Sequence, residues 1–463
     1  MWDSTARIDM TVSAPQIGKS IMLGALLLGG AWEDGGRFPD WPTCWAAPTY
    51  DQAKGGFLRY VVKPAERAGI LASHTETPPL QATLINRSIV VAKSWDNPSG
   101  IYSFTYARIG VDEFGQLTDE GWLALSSRTT EPAQIGGGQI RMAGNVGEIG
   151  GTAERLVRIA QSGRPGWAAR TWTWRDRARA ARCVCGLNGE GIEIEHASLH
   201  DPLCFRGIYL QSLADRMGSM SSLQFRQLYG AEWLDWSALP VYTFERAVHV
   251  TEAVEYQSAL ALDLACDFNV APMAWVVGQH RADEAWALGE IDIPGSATTQ
   301  LACQEFLRQY PVEQYNPKGK RALNVYGDAS GKSHGTKSTE TDYTIIEQTL
   351  RSLWPQMQFH IPPSNPPVTD RVNAVNALLK SASGGTRYYI HPRCTKLADD
   401  YARVGYKPGT RDLDKGDKSR THFSDAEGYR LVELFPVRGV IREGATVVTR
   451  DPFYDGGIMT AEF

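Results

Sequence analysis

The sequence predicts an α/β protein of more than one folding unit, with a phosphate-binding front and an acidic back. Three observations predict it. Gly18-Lys19-Ser20 stands between a β-like stretch and an apolar helix-like one. The β-like Ile109-Gly110-Val111 runs into the paired carboxylates Asp112 and Glu113. The second half alternates strand-like and helix-like segments whose ends carry Asp267, Asp328 and Asp425. At roughly 100–200 residues per domain, 463 residues correspond to two to four units.

In the front half, β-like Met10 to Val12 leads through Ser13-Ala14-Pro15-Gln16-Ile17 into Gly18-Lys19-Ser20 and then the helix-like Ile21 to Leu28. A P-loop cradles phosphates with backbone N–H groups at a helix start, sets a lysine on the β/γ-phosphates and puts a Ser/Thr hydroxyl on Mg²⁺. Gln16, Gly18, Lys19 and Ser20 supply those parts, although Ser13 stands where the pattern's first glycine belongs, and a chance Gly-Lys-Ser is the bland alternative. Asp112 and Glu113 narrow that choice. In an ATPase the first acid holds the Mg²⁺ shell and the second orients the attacking water. Downstream, Gly136-Gly137-Gly138 precedes the strand-like Gln139 to Ala143, closed by Gly144-Asn145. Asn145 is expected to sense the terminal phosphate, with a turn-forming asparagine as the alternative.

Arg155, Arg158, Arg164, Arg170, Arg175, Arg177, Arg179 and Arg182 then alternate with Trp167, Trp172 and Trp174, a pattern that suits a DNA backbone, a solvated helix or an inter-subunit surface. Cys183-Val-Cys185, with His196, His200 and Cys204 beyond it, raises the question of zinc. Paired ligands at zinc-ribbon or zinc-finger spacing are missing, so zinc is not expected.

Residues 235–250 read as a linker. Strands are expected over Ala259 to Phe268, Ala274 to Val277, Ala285 to Ile291, Ala322 to Gly327 and Gln358 to Ile361, and helices over Thr299 to Tyr310, Tyr343 to Trp354 and Asp370 to Ser381. A charged loop, Lys407 to Arg420, leads into a last helix carrying His422 and Asp425. Carboxylates at the ends of separate elements are what an Mg²⁺ nuclease site requires, with metal ions that activate water and stabilise the leaving oxygen. Asp267, Asp328 and Asp425 are the expected ligands. Asp263 shares a strand face with Asp267 by the two-residue period and competes with it. Asp342 and Glu427 read better as a helix-start acid and a solvated helix residue.

Composition limits the rest. Hydrophobic residues at 43% and charged residues at 21% exclude wholesale disorder, and a net charge of −5 with a pI near 6.0 excludes a uniformly basic, nucleic-acid-coating surface. The apolar run Met22 to Trp32 is shorter than the ~20 residues of a membrane span. With no readable secretory signal and seven cysteines in no disulfide-like pattern, the default compartment is cytoplasmic.

The order of these parts resembles the large subunit of bacteriophage terminases, over nearly the whole chain. The matching motifs are Ala14-Pro15-Gln16-Ile17-Gly18-Lys19-Ser20, Gly110-Val111-Asp112-Glu113-Phe114, Gly144-Asn145, Cys266-Asp267-Phe268-Asn269-Val270-Ala271-Pro272, Val325-Tyr326-Gly327-Asp328 and His422-Phe423-Ser424-Asp425-Ala426-Glu427-Gly428-Tyr429. The resemblance implies a P-loop ATPase domain at 1–150, a lid or linker subdomain at 151–240 and an RNase H-like nuclease domain at 241–463. It implies ATP and Mg²⁺ at the first site and Mg²⁺ or Mn²⁺ at Asp267, Asp328 and Asp425. It further implies a ring of subunits on a portal protein, driving double-stranded DNA into a procapsid in the host cytoplasm, with a small terminase subunit selecting the DNA. The family's adenine-binding segment precedes its loop, whereas here the loop strand starts close to Met1, so adenine contacts are expected elsewhere or in a segment ahead. Pro15 replaces a loop arginine of some relatives, which makes Arg128 the candidate arginine finger, with a plain salt bridge as its alternative. A helicase-nuclease of DNA repair and an inactive ATP-bound scaffold are the rival readings.

Overall fold

The computed structural model describes residues 5–34, 41–130, 138–187, 191–235, 238–269, 272–295, 297–332, 340–407, 410, 412–417, 420–436, 447–448 and 460–461. Gly136, Gly137, Trp236, Ser237, Val270, Ala271 and parts of the 407–420 loop, which enter the readings above, lie outside them. The chain forms two compact units. One comprises Met1–His196 with Arg226–Leu234, the other Ala197–Phe225 with Asp235–Phe463. Among the described residues no helix is long and apolar enough to cross a membrane.

Among the described residues the first unit is built on eight strands: β1 Ile8–Ser13, β2 Thr43–Ala47, β3 Leu71–Thr75, β4 Gln81–Leu84, β5 Ile89–Ser94, β6 Arg108–Asp112, β7 Gln139–Gly144 and β8 Trp167–Trp172. Their order is β3-β4-β5-β2-β6-β7-β1-β8, parallel from β5 onward, with β3 and β4 added as antiparallel edge strands. Parallel sheets need cover on both faces. The two-residue period supplies it: Cys44 and Ala46 enter one core while Trp45 enters the other. The helix Lys19–Asp34 covers the Trp45 face with Leu23, Leu27 and Ala31, and the helices Asp119–Ser127 and Thr152–Gln161 cover the opposite face with Leu125, Leu156 and Val157. Because β1 is buried at every residue, its Asp9 requires a partner, and Arg170 on β8 donates to both carboxylate oxygens at 2.7 Å.

The second unit holds a six-stranded sheet of β9 Leu262–Asp267, β10 Met273–His280, β11 Ala285–Ile293, β12 Ala322–Gly327, β13 Gln356–His360 and β14 Tyr388–Ile390, in the order β13-β12-β9-β10-β11-β14. The meander β9-β10-β11 is antiparallel, while β12 runs parallel to β9 and β14 parallel to β11. Leu262, Leu264 and Cys266 face a core shared with the helices Thr299–Gln309 and Asp342–Leu350. Asp263, Ala265 and Asp267 alternate with them, and Ala265 belongs to the opposite core with the helices Val368–Leu379, Thr395–Arg403 and His422–Leu434. The expected strands and helices are therefore present, with ends shifted by a few residues.

Candidate functional site

The loop after β1 is shaped by two left-handed residues, Gln16 at φ 60° and Gly18 at φ 88°. Such backbone turns N–H groups inward as an anion-binding nest at the start of the helix that begins at Lys19. Lys19 is nearly buried, and its Nζ donates to Asn145 Oδ1 at 2.9 Å and lies 3.4 Å from Glu113 Oε1. Ser20 Oγ donates to Asp112 Oδ1 at 3.0 Å.

Strand order explains this convergence. β7 lies between β1 and β6, with Val12 beside Gly144 and Ala143 beside Asp112, so loop, acids and Asn145 emerge level at one sheet end. Glu113 itself adopts a left-handed φ of 53°. The turn it opens packs backbone on backbone against the turn after β7. A Cβ on Gly115 would overlap the Asn145 carbonyl, one on Gly147 the Gly115 carbonyl, and one on Gly144 the Phe114 amide. Burial, and next the Glu113 charge, push the Asp112 carboxyl up to about 6. The expected residues Gly18, Lys19, Ser20, Asp112, Glu113 and Asn145 thus meet in one place, a cation and donors beside two carboxylates.

Arg128 closes the helix Asp119–Ser127 and stacks its guanidinium on Tyr102 at 5.0 Å. The basic stretch is largely paired. Arg155 meets Asp119, Arg158 meets Glu154, Arg175 meets Glu193 at 2.9 Å and Arg179 meets Asp176 at 3.4 Å, while Arg164 lies over Trp167. Much of the charge that suggested DNA contact is committed to neighbours.

In the second unit, register places two acids side by side. Gly327 of β12 pairs with Cys266 of β9, so Asp328 and Asp267, each one residue further on, leave the same sheet end. The helix His422–Leu434 packs across β9, β10 and β12 and presents Asp425 from its first turn. Asp425 and Asp328 add their repulsion to burial, the larger cause, in raising the Asp267 carboxyl. Each acid has a fixed partner. His422 Nδ1 lies 3.2 Å from Asp267 Oδ2, and the Asn269 amide donates to that same oxygen. Asp328 accepts from Ser330 Oγ at 2.7 Å and the Gly331 amide at 3.0 Å. Asp425 accepts from Arg371 at 2.7 Å and Lys415 at 2.8 Å.

Asp263 does share the Asp267 face, but it is fully buried and saturated, by Arg430 at 2.9 Å, His280 at 2.7 Å and Asn324 at 3.0 Å. That removes it from the competition. Glu427 is not the solvated residue expected: it is fully buried, accepting from Arg430 and from Tyr388 Oη at 2.5 Å. Asp342 is the helix-start acid expected, following the cap Thr341 and accepting from Thr299. Sequence reading missed Arg371, Lys415 and Asp400. Asp400 accepts from the Ser424 amide at 3.0 Å and so holds the start of the Asp425 helix, although burial pushes its carboxyl up to about 6. The only sequence signal for such partners is the need of a buried acid for a donor.

Asp267, Asp328 and Asp425 bring carboxylates from separate elements near enough for the other two to raise the Asp267 carboxyl, and oxygen donors of this kind suit Mg²⁺ or Mn²⁺. A bound divalent ion there would supply water activation and charge neutralisation at a phosphodiester. Arg371 keeps one Asp425 oxygen fixed in direction, and His422 and Asn269 do the same for Asp267.

No family model matches the chain, and no curated protein matches it in sequence. Solved structures do match. The large terminase of a thermophilic bacteriophage aligns over 93% of this chain and 96% of its own, at 13% identity and a TM-score of 0.52. Its complex with ATP-γ-S gives the same values, and its complex with ADP gives 12% identity and a TM-score of 0.51 over the same shares. This is a likeness of fold. The chain has the two-part α/β architecture expected of it, a P-loop ATPase fold followed by an RNase H-like fold.

Proposed function

We propose that this chain is the large terminase subunit of a tailed phage, an ATPase that drives double-stranded DNA into a procapsid and a metal-dependent endonuclease that cuts the DNA concatemer. One observation carries the proposal: a single chain assembles Lys19, Ser20, Asp112, Glu113 and Asn145 at one sheet end, and sets Asp267, Asp328 and Asp425 about a second.

In the first site, Lys19 and the loop amides bind the β- and γ-phosphates, and Ser20 and Asp112 hold Mg²⁺. Glu113, whose side chain is 30% exposed, accepts the proton of the attacking water. Hydrolysis removes the phosphate that draws Lys19 away from Asn145, so the Lys19–Asn145 bond re-forms and reports the nucleotide state. In the second, Asp267, Asp328 and Asp425 hold Mg²⁺ or Mn²⁺. DNA, a portal protein, a small terminase subunit and further copies of the chain in a ring are the partners this reading brings, with the host cytoplasm as its place of action.

The test is packaging in a defined system of procapsid, portal, small subunit and linear DNA. Protection of DNA from added nuclease, lost with Lys19→Ala, is expected. Strand displacement on a forked duplex by the chain alone would overturn the reading in favour of a repair helicase-nuclease. Among the described residues the loop after β1 of the eight-stranded sheet is the one phosphate-loop candidate, whereas a two-motor-domain helicase needs a pair.

A further inference from the structure

Asp425 differs from the other two acids of the second unit in what holds it. Among the described residues, Asp267 and Asp328 are held by an imidazole, an amide, a hydroxyl and a backbone N–H. The partners of Asp425 are instead two cations, Arg371 on Oδ1 at 2.7 Å and Lys415 on Oδ2 at 2.8 Å. Resting on the nuclease reading above, we propose that Lys415 is a switching cation. Its ammonium neutralises Asp425 in the metal-free chain, yields that oxygen to a divalent ion, and passes to a phosphate of the bound DNA.

The two cations are not equivalent. The Arg371 side chain is only 8% exposed and lies 4.3 Å from the centre of the Tyr429 ring. Its helix, Val368–Leu379, packs on the Asp425 helix so closely that a Cβ on Gly428 would stand 3.3 Å from Arg371 Cβ. Withdrawing Arg371 would leave a buried charge unpaired, at high cost. The Lys415 side chain is 52% exposed, so withdrawing it returns an ammonium to water and breaks an ion pair of the weak, exposed kind. Its backbone is nevertheless anchored. Leu413 is buried in the core beneath, the Asp414 amide donates to the Gly405 carbonyl at 2.8 Å, and the Gly416 amide donates to Asp414 Oδ1 at 2.9 Å. Movement therefore falls to the four-carbon stem, which keeps the ammonium within reach of the site.

Charge gives the switch its direction. Oδ2 has a second lone pair, but an ammonium and a divalent ion sharing that oxygen would stand about 4 Å apart, where like charges repel. With Arg371 fixed on Oδ1, Lys415 is the cation that gives way. A DNA phosphate approaching three carboxylates meets like charge, and the released ammonium is the complementary group at that place.

The test is Mn²⁺ titration of the full-length, nucleotide-free chain, followed by the paramagnetic resonance of free Mn²⁺, with the part lost in Asp267→Asn taken as the share of this site. Lys415→Met is expected to bind that Mn²⁺ about fivefold more tightly, because a competing cation is gone, and Lys415→Arg to stay within about twofold of the unaltered chain. Duplex DNA in Ca²⁺ should bind Lys415→Met more weakly, with the slope of log affinity against log salt shallower by about 0.9, one phosphate contact, and Lys415→Arg should restore it. A purely structural role would not strengthen one ligand while weakening the other. Mn²⁺ affinity in Lys415→Met at or below that of the unaltered chain, or an unchanged salt slope, would overturn the switch alone. No Asp267-dependent Mn²⁺ binding in the unaltered chain or in either Lys415 variant would overturn the nuclease reading and the switch with it.

Discussion

Lys19 Nζ donates to Asn145 Oδ1 at 2.9 Å, which ties the phosphate loop to the turn that follows the neighbouring strand. In the proposed motor, ATP competes for that lysine. Asn145→Ala should therefore leave nucleotide affinity within about threefold while lowering turnover roughly tenfold or more, because the change falls on the step and not on ground-state binding. Lys19→Ala should abolish turnover. Steady-state hydrolysis alongside fluorescent-nucleotide binding separates the two. An Asn145→Ala chain with unaltered turnover would remove the sensor role.

The two sites should fail independently. Asp267→Ala and Asp425→Ala are expected to reduce Mn²⁺-dependent plasmid cleavage at least about a hundredfold with ATP hydrolysis intact, and Glu113→Ala to do the reverse. Gel assays of nicking and phosphate release on the same preparations check this. Unchanged cutting by both aspartate variants would end the nuclease assignment.

Asp112 sets a pH limit on the first site. Its carboxyl is pushed up to about 6, so the ionised form that Mg²⁺ needs is present above that pH and lost as pH falls through it. Between pH 7 and pH 5 the ionised fraction drops about tenfold, and Mg²⁺-dependent nucleotide binding should weaken in proportion. The nucleotide-free fold should respond in the opposite sense. Because the native state holds this proton more tightly than the unfolded chain does, the Asp112 contribution to stability grows as pH falls from about 6 toward the ordinary carboxylate value. Asp112→Asn should flatten both profiles.

Arg430 is wholly buried between Asp263 and Glu427, at 2.9 Å and 2.5 Å. Arg430→Met leaves two interior carboxylates without their cation and should lower stability by at least about 3 kcal/mol, measured by urea denaturation. Replacing all three by apolar residues of similar volume should recover much of that loss.

The ordered motifs made most of the architecture legible. Lys19, Asp112 and Glu113 are read from a loop and a strand end, and Asp267, Asp328 and Asp425 from elements whose hydrophobic period places each acid at a terminus. What escaped depends on distance in space. Nothing near Arg371 in the sequence indicates that it will grip an acid 54 positions away, and Lys415 lies in a charged loop that reads as solvated. Asp263 and Asp267 share a strand face, and only burial and the arrival of Arg430 tell the structural acid from the proposed ligand. Glu427 read as solvated because a helical acid is usually so, yet the same arginine draws it into the interior.

The backbone-to-backbone fit of Gly115, Gly144 and Gly147 has an evolutionary corollary. Even alanine at any of the three would wedge the Glu113 turn away from the Asn145 turn, so no path of single replacements through these positions preserves the spacing of Glu113 and Asn145. Lineages descended from this chain can exchange the more exposed arginines of the basic stretch, though not Arg170, the partner of buried Asp9, and are expected to keep these three glycines fixed for as long as the proposed ATPase is retained.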